Sequence, residues 1–486
     1  MSYFIPPKFW CGGLLLLLPL LSLAPPRPEP NSALSAVRLP LQGAKPDPQV
    51  LAQFGLYNNP KLQALIDSKG QQMNKVSDRP GDYGFTIVDS PVINAFATPD
   101  GHVYFTRGIM AHFNSEAQFA GVLGHELGHI TARHGQKQQT RNTLASIVLG
   151  AGSIFAPRVA QRIGSIVQQG VGLLFLSYSR ENENEADGLG VKYSTKIGYD
   201  AAQMADFFLT LERTEQAAGG NGIPTFLSTH PNSADRYERV KGLAAQAKQT
   251  LGKATLLVNR DGYLRSIDGL PYGEDPRQGF VEGGVFYHPD LKFRFPVPAG
   301  WKTQNSPTQF QMAEPNGGAL LVFAGVPGTT AEEGAQAVVK QLGLSGAQAR
   351  RLTINGFPTL VVEGDQTPSQ DQQQQQSQPA HVRAYVIQDG KNLFALIGLA
   401  APSTFGNYAP QFDAVAQGYQ RLTSASQLGR QSERIRIRQV KTATTLQQAL
   451  TANSVPSRRF NEVAILNGMQ LSDRLPAGSL FKVIGK

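Results

Sequence analysis

Hydrophobic and polar residues follow two different patterns along the 486-residue chain. Between residues 47 and 252 the apolar residues mostly recur every three or four positions, which predicts helices. A short β-rich stretch interrupts this region at Ile87 to Asn94 and His102 to Arg107. After residue 258, short segments of alternating hydrophobicity lie between glycine-rich turns, which is typical of antiparallel strands. The pattern predicts the α+β class, with a mostly helical domain first and an antiparallel α+β domain second.

The same pattern divides the chain into three domains. We place the mostly helical domain at residues 45–252, the antiparallel α+β domain at 258–425 and a small basic module at 432–486. The second domain contains a loop at 365–380 with a run of five glutamines. Such a run cannot bury apolar surface, so the loop is predicted to lie at the surface as an insertion between two strands.

The last module has a strand-like start, two helix-like segments and a closing strand, which predicts a small α/β fold. The segment from Thr445 through Asn467-Gly468 to Leu475-Pro476-Ala477-Gly478 resembles a LysM module. This resemblance implies glycan binding, whereas a module that only packs against its neighbours fits the same residues.

The first 36 residues are predicted to be a signal peptide or an N-terminal anchor. Lys8 precedes an apolar run from Gly12 to Ala24, which is too short to span about 30 Å of hydrocarbon comfortably. We therefore expect a location in the periplasm or otherwise outside the cytoplasm, either soluble or tethered by an uncleaved N-terminal segment. Cys11, the single cysteine, lies in this segment, so disulfides and cysteine-based zinc sites are excluded from the rest of the chain.

Composition and charge narrow the class of protein further. With 41% hydrophobic and 17% charged residues, the chain is predicted to be globular. Residues 425–486 hold ten Lys and Arg against three Asp and Glu, which is most of the net charge of +9. This basic end either contacts an envelope membrane or peptidoglycan, or is a solvated face. No nucleic acid is expected as a partner, because the sequence has no helix-turn-helix or zinc-finger pattern.

The strongest chemical signal is the HExxH motif at His125, Glu126 and His129. Ser115 and Gln118 form a capping-box pattern at a helix start, and apolar residues follow at helical spacing, so the motif is predicted to lie on a helix. Four residues advance a helix by about one turn, so both imidazoles project from one face and can bind one metal ion. Glu126 lies beside them, where it can accept a proton from water.

A hydrolytic zinc site needs a third protein ligand and an open fourth position. The metzincin spacing fails, because Ala132 and Gly135 occupy the positions of the required glycine and histidine. Residues 179–187, with the sequence SRENENEAD, place Glu183 and Asp187 one helical turn apart. Glu183 would then reach the metal, and Asp187 could hold a ligating histidine by its other ring nitrogen. The alternative is an acidic helix N-terminus that complements the helix dipole.

These signals together resemble the metallopeptidase family of the CAAX prenyl protease. The matching residues are HELGH at 125–129, the S-R-x-x-E-x-E-A-D pattern at 179–187, and His230-Pro231 followed by Arg236. The chain is more similar to the soluble exported BepA-type bacterial members, because no transmembrane spans are visible in the sequence. Those members carry a C-terminal helical repeat domain, whereas this chain has the antiparallel α+β domain and the LysM-like module. The resemblance implies a zincin-like gluzincin fold that binds one Zn²⁺ per chain. It implies that His125, His129 and Glu183 are the zinc ligands, that Glu126 is the general base and that Asp187 supports a ligating histidine.

The resemblance also gives His230 two possible roles at the site. It is either a fourth zinc ligand that keeps the enzyme latent or a group that stabilises the transition state, with Arg236 as its neighbour. The alternative is a turn histidine before Pro231 with no role at the metal. The segment Asn94-Ala95-Phe96 ahead of the motif is either a strand that holds substrate or an ordinary core strand. The spacing of the remaining histidines does not indicate a role in the site, so they are predicted to be structural: His102, His112, His134, His288 and His381.

The predicted function is that of a zinc metalloendopeptidase that hydrolyses peptide bonds of misfolded or unassembled cell-envelope proteins. Its substrates would be unfolded or extended proteins. The alternative is a non-proteolytic envelope chaperone or cell-wall-binding adaptor on the same scaffold. A membrane-embedded prenyl-protein protease is disfavoured, because the sequence shows no spans that could hold a lipid chain.

Overall fold

The computed structural model describes residues 45–135, 178–217, 225–230, 235–252, 255–366 and 379–486. The predicted leader at 1–36 and most of the predicted Gln-rich loop lie outside the described residues. The α+β class is confirmed, because helices dominate the N-terminal part and antiparallel sheets follow. In the described ranges, no helix is both long and apolar enough to cross a membrane.

The first domain combines a small sheet with a layer of helices. Its helices are α1 Pro48–Phe54, α2 Pro60–Val76, α3 Arg107–His112, α4 Glu116–Thr131, α5 Arg180–Lys196, α6 Ala202–Ala217, α7 Thr225–Thr229, α8 Arg236–Leu251 and α9 Arg260–Ser266. Its strands are β1 Gly84–Val88, β2 Ala95–Ala97 and β3 His102–Thr106. The sheet order is β1-β3-β2, with β1 parallel and β2 antiparallel to β3, so β2 is an edge strand within the described part of the chain.

The helix that carries HExxH, α4, begins close to the predicted position. The Ser115 hydroxyl oxygen accepts a hydrogen bond of 3.1 Å from the backbone N–H of Gln118. The Gln118 side chain accepts a bond of 2.7 Å from the N–H of Asn114, so its return bond reaches one residue further back than a standard capping box. The helix ends at Thr131, and Arg133 then reverses the chain with a left-handed φ of 58°.

Two glycines allow α4 to cross α5 closely. A Cβ atom on Gly124 would lie 2.9 Å from the carbonyl oxygen of Gly190, and one on Gly190 would lie 3.0 Å from the backbone nitrogen of His125. Backbone atoms cannot rotate away as a flexible side chain can, so both positions need glycine. The close crossing places the HExxH motif of α4 beside the acidic residues of α5.

Replacing Gly190 with alanine should push α4 away from α5. We expect Gly190→Ala to lower the free energy of unfolding by about 1–3 kcal/mol, the usual cost of overpacking, and to reduce the bound metal. Gly188 provides a control on the same helix, because apart from that helix no described atom lies within 4 Å of its Cβ position. Gly188→Ala should stabilise the protein by about 0.5–1 kcal/mol. Urea unfolding measures both values, and equal effects of the two changes would contradict the close crossing.

The second domain is built on one large antiparallel sheet. The strands that follow the first domain are β4 Pro271–Tyr272, β5 Phe280–Glu282, β6 Val285–His288, β7 Phe293–Pro296, β8 Lys302–Asn305, β9 Gln309–Ala313, β10 Ala319–Gly325, β11 Leu344–Ile354, β12 Phe357–Gln366, β13 Ala380–Asp389, β14 Asn392–Ala400 and β15 Gln420–Arg421. The large sheet has the order β11-β12-β13-β14-β10-β9-β8, and a smaller one has the order β15-β7-β6-β5. The helices α10 Ala331–Leu342 and α11 Phe405–Gln417 pack on opposite faces, since Leu360 joins the core of α10 and Val361 that of α11.

The C-terminal module has its two helices between its two longer strands. After the short helix α12 Ala425–Leu428, its elements are β16 Glu433–Gln439, β17 Thr444–Thr445, α13 Leu446–Ala452, α14 Phe460–Leu466, β18 Arg474–Leu475 and β19 Leu480–Gly485. β16 lies between β19 and β4 in one antiparallel sheet.

Both faces of this C-terminal sheet are covered. The helices of the module cover one face, whereas Ile435 and Leu480 on the other face belong to the hydrophobic core of the first domain. The buried side-chain nitrogen of Lys482 donates hydrogen bonds to the carbonyl groups of Ala111 (2.9 Å) and Phe113 (3.1 Å), just ahead of α4. The module is therefore an integral part of the first domain's packing.

Candidate metal centre

Four buried side chains meet between α4, α5 and the end of α7: His125, His129, Glu183 and His230. One ligand atom from each lies within 4.8 Å of the other three. The Nε2 atoms of His125 and His129 are 3.1 Å apart. The Nδ1 atom of His230 lies 3.2 Å from His125 Nε2 and 2.9 Å from Glu183 Oε1. The structure thus brings His230 to the same centre as the three predicted ligands.

This set of side chains fits a divalent metal ion. The outer Nδ1 atoms of His125 and His129 both face other side chains, and their Nε2 atoms face each other. Among the described residues, both oxygens of Glu126 and one oxygen of Glu183 are buried without a hydrogen bond. Lone pairs and carboxylate oxygens crowded in this way repel one another unless a cation lies between them. Imidazole and carboxylate groups are the ligands that zinc takes in hydrolytic enzymes.

Asp187 contacts the outer ring nitrogen of His125, the first histidine of the motif. Its Oδ1 atom lies 3.0 Å from His125 Nδ1, and both of its oxygens accept hydrogen bonds from the Arg236 guanidinium at 2.9 and 2.8 Å. Arg239 adds a further bond of 2.8 Å. Burial alone would raise the pKa of the Asp187 carboxyl, but Arg236 and the bond to His125 outweigh it and hold the pKa below its usual range.

Arg236 lies behind the cluster. Its guanidinium is buried, stacks on the Phe208 ring at 4.0 Å and also approaches Glu183 Oε2 at 3.3 Å. These contacts place Arg236 where it holds Asp187 and Glu183 in position. Its pairing with Asp187 joins α8 to α5, and sequence spacing alone cannot predict such a contact.

The second histidine of the motif is held by residues that the sequence did not single out. His134 Nδ1 lies 2.9 Å from His129 Nδ1, and the Tyr178 ring stacks on His129 with 4.0 Å between ring centres. Spacing places His134 off the face of α4 that carries the motif. The left-handed Arg133 turns the chain back so that the two rings meet.

Glu126 is fully buried beside His230, whose Nε2 atom lies 3.5 Å from Glu126 Oε1. Burial raises the pKa of the Glu126 carboxyl, and nearby His230 and His125 offset this in part. A carboxyl group with a raised pKa and no hydrogen-bond donor among the described residues can readily accept a proton.

The predicted substrate segment Asn94-Ala95-Phe96 lies at the start of the edge strand β2. The Phe96 ring packs inward on Tyr104, with 5.0 Å between ring centres, so its side chain belongs to the core. Hydrogen bonds from Thr106 N to Asn94 O and from Thr98 N to His102 O define the inner edge of the strand. The alternation of an antiparallel pair then directs the backbone groups of Ala95 and Ala97 away from β3.

The other histidines have partners in their own neighbourhoods: His102 contacts Thr86, His112 contacts Gly108, His288 contacts Leu291 and His381 contacts Asp365 and Glu363.

A helix with HExxH, packed against a second helix that brings a glutamate to the same centre, defines a gluzincin-type metallopeptidase domain. Residues 59–244 match the model of peptidase family M48. The family predicted from the motifs is confirmed.

Two relatives match this chain at similar sequence identity. The mitochondrial metalloendopeptidase OMA1 of Arabidopsis thaliana is 32% identical over 162 residues, which are 33% of this chain and 30% of that protein. The beta-barrel assembly-enhancing protease of Escherichia coli O157:H7 is 28% identical over 210 residues, which are 41% of this chain and 42% of that protein. The chain therefore spans less than half the length of these relatives.

Proposed function

We propose that the chain is a zinc-dependent endopeptidase in which His125, His129 and Glu183 bind one Zn²⁺ and Glu126 is the general base. The observation that carries this proposal is the Glu126 carboxyl, which is fully buried without a hydrogen bond among the described residues. A protein that kept the site only for its shape would gain stability by replacing such a group, because burying an unpartnered polar group is costly. Catalysis gives a reason to retain it.

The side chains around the cluster have distinct tasks in hydrolysis. When bound, zinc lowers the pKa of a coordinated water towards about 7 and polarises the peptide carbonyl. Glu126 accepts a proton from the attacking water and passes it to the nitrogen of the leaving amine. Asp187 keeps His125 oriented throughout through its hydrogen bond to the outer nitrogen of the ring, and Arg236 in turn holds Asp187 by donating to its carboxylate.

We further propose that His230 keeps the site latent. Its Nδ1 atom lies within the cluster, where it can take the fourth position that a hydrolytic zinc site leaves open for water. The His230 ring also stacks on Phe226 in α7, with 4.6 Å between ring centres. Activation then requires His230 to leave the cluster together with the end of α7.

The proposed substrate is an extended segment of a misfolded or unassembled cell-envelope protein. An extended chain can pair with the outward backbone groups of Ala95 and Ala97. A cleft continues from the end of β2 to His129 and is lined also by Arg133 and Tyr178. The name of the Escherichia coli relative, a beta-barrel assembly-enhancing protease, supports envelope protein quality control as the process. The predicted leader supports a location in the periplasm or otherwise outside the cytoplasm.

The basic C-terminal module is proposed to contact the membrane or peptidoglycan of the envelope. Because both faces of its sheet are covered, such a contact has to use the helices and loops. Lys441 in a loop and Arg458 just ahead of α14 are exposed, as are Arg438 near the end of β16 and Arg474 in the short strand β18.

Cleavage of casein, an unfolded substrate, by wild type and His230→Ala tests the function and the latency together. If about a tenth of the wild-type molecules have His230 outside the cluster, His230→Ala should cleave about tenfold faster. A metal chelator should stop both proteins. His288→Ala, which changes a half-buried histidine of the second domain, is the control and should match wild type.

Each other outcome has a distinct meaning. A slower His230→Ala protein that still binds zinc would contradict latency and assign His230 to the transition state. If both proteins bind zinc and cleave nothing, the endopeptidase proposal is wrong and the adaptor alternative replaces it.

A further inference from the structure

The two motif histidines are supported in different ways. His125 is held directly by Asp187, which is fully buried and paired with two arginines. His129 is held instead by His134, another fully buried imidazole, at 2.9 Å between the Nδ1 atoms. His129 is therefore supported through a second imidazole, and a further residue must fix which ring nitrogen of His134 carries the hydrogen.

That further residue is Glu185. The Nε2 atom of His134 lies 3.1 Å from Glu185 Oε2, and the Glu185 side chain is 53% exposed. Glu185 lies on α5 two positions after Glu183. The same helix therefore provides one glutamate to the cluster itself and a second glutamate to the histidine that supports it. The two carboxylates point to different partners, since Glu183 faces the cluster and Glu185 faces His134.

The chemistry of these groups sets the direction of each hydrogen bond. An ionised carboxylate can only accept, so the hydrogen of the Glu185 bond must be on Nε2 of His134. A neutral imidazole with its hydrogen on Nε2 has a lone pair on Nδ1, and this lone pair can accept from Nδ1–H of His129. His129 is then left with a lone pair on Nε2, the atom that faces His125 at 3.1 Å.

We propose that His134 and Glu185 are positioning residues for His129. Glu185 selects the tautomer of His134, and His134 selects the tautomer and ring orientation of His129, so that its Nε2 lone pair faces the metal position. This proposal rests on the proposed zinc centre. His134 itself is not a ligand, because its Nδ1 atom meets the outer nitrogen of His129.

The test is the zinc dissociation constant of purified full-length variants, measured by competition with a chromophoric chelator. His134→Leu removes the acceptor and should weaken zinc binding by about 10–100-fold, the usual effect of losing an outer partner of a metal-binding histidine. His134→Asn should recover most of the affinity, because the amide oxygen can replace Nδ1 as the acceptor. The absorption spectrum of the cobalt-substituted protein should change in His134→Leu and stay close to wild type in His134→Asn.

Glu185→Gln keeps the experiment informative if changes at the buried His134 prevent folding. Its side chain can both donate and accept, so the tautomer of His134 is no longer selected, and zinc affinity should fall by roughly 3–10-fold, less than the loss of the direct partner. Glu181→Gln removes the same charge from an exposed position on α5 and should bind zinc as wild type does.

Two results would overturn the positioning role. One is wild-type zinc affinity and cobalt spectrum in both His134→Leu and Glu185→Gln, even if thermal stability falls. The other is equal loss in His134→Asn and His134→Leu, which would mean that the volume or packing of the imidazole matters rather than its hydrogen bond. If wild type itself binds no zinc, it is the proposed function that fails.

Discussion

Replacing Glu126 with glutamine is expected to slow peptide-bond cleavage by about 10²–10⁴-fold while zinc stays bound. The amide has nearly the same size as the carboxyl group but cannot accept a proton and return it to the leaving amine. Glu126 is not among the four side chains whose ligand atoms converge, so the zinc content should not change. The comparison is best made in the faster His230→Ala background, with the casein cleavage rate and zinc per chain measured on the same samples.

The matched control for this change is Glu238→Gln, which removes a carboxylate from an exposed position on α8 and should leave both quantities unchanged. The midpoint of thermal unfolding should not fall in Glu126→Gln either, because neither Glu126 oxygen accepts a hydrogen bond among the described residues. A Glu126→Gln protein that cleaves at the parental rate, or that loses its zinc, would contradict the role of general base.

Replacing Arg236 with leucine should be among the most destabilising single changes at the site. Asp187 is fully buried, and Arg236 provides two of its hydrogen bonds. Removing one partner of a buried ion pair leaves an uncompensated charge and costs about 3–5 kcal/mol. Arg239→Leu is the control, because Arg239 donates one bond to Asp187 and is 24% exposed, so its loss should cost only about 1 kcal/mol. Urea unfolding at neutral pH measures both.

The same ion pair predicts how stability depends on pH. Since the pKa of Asp187 is lower in the folded protein, its contribution is present above the ordinary aspartate pKa of about 3.9 and is lost as the pH falls below that value. The acid-induced loss of stability between about pH 5 and 3 should therefore be smaller in Arg236→Leu than in wild type. Equal unfolding free energies and equal pH profiles for Arg236→Leu and Arg239→Leu would show that Arg236 does not carry this buried charge.

Local patterns were enough to predict the helix of the motif and the residues that meet there. The serine before α4 and the four-residue spacing of His125 and His129 depend on contacts within one helix turn, and the structure shows both. The same is true of Glu183 and Asp187 on α5. The α+β class followed from the change in hydrophobic period after residue 258, and it is confirmed.

Contacts between distant segments could not be predicted in the same way. The meeting of His129 and His134 depends on one left-handed residue, Arg133, which is not a residue type that usually signals such a turn. The close crossing at Gly190 and the burial of Lys482 against the end of α3 depend on packing between parts of the chain far apart in sequence. The predicted role of the C-terminal module in envelope contact stays a prediction.

Titration of metal-free protein with zinc, followed by cleavage of casein, tests the proposed centre most directly. In the His230→Ala protein we expect no cleavage without zinc, a rise in proportion to added zinc, and a plateau at one zinc ion per chain. Glu183→Ala should require far more zinc to reach any cleavage, because it removes one of the three ligands. Cleavage that persists without metal, or a plateau that does not depend on Glu183, would contradict a zinc peptidase centred on these residues.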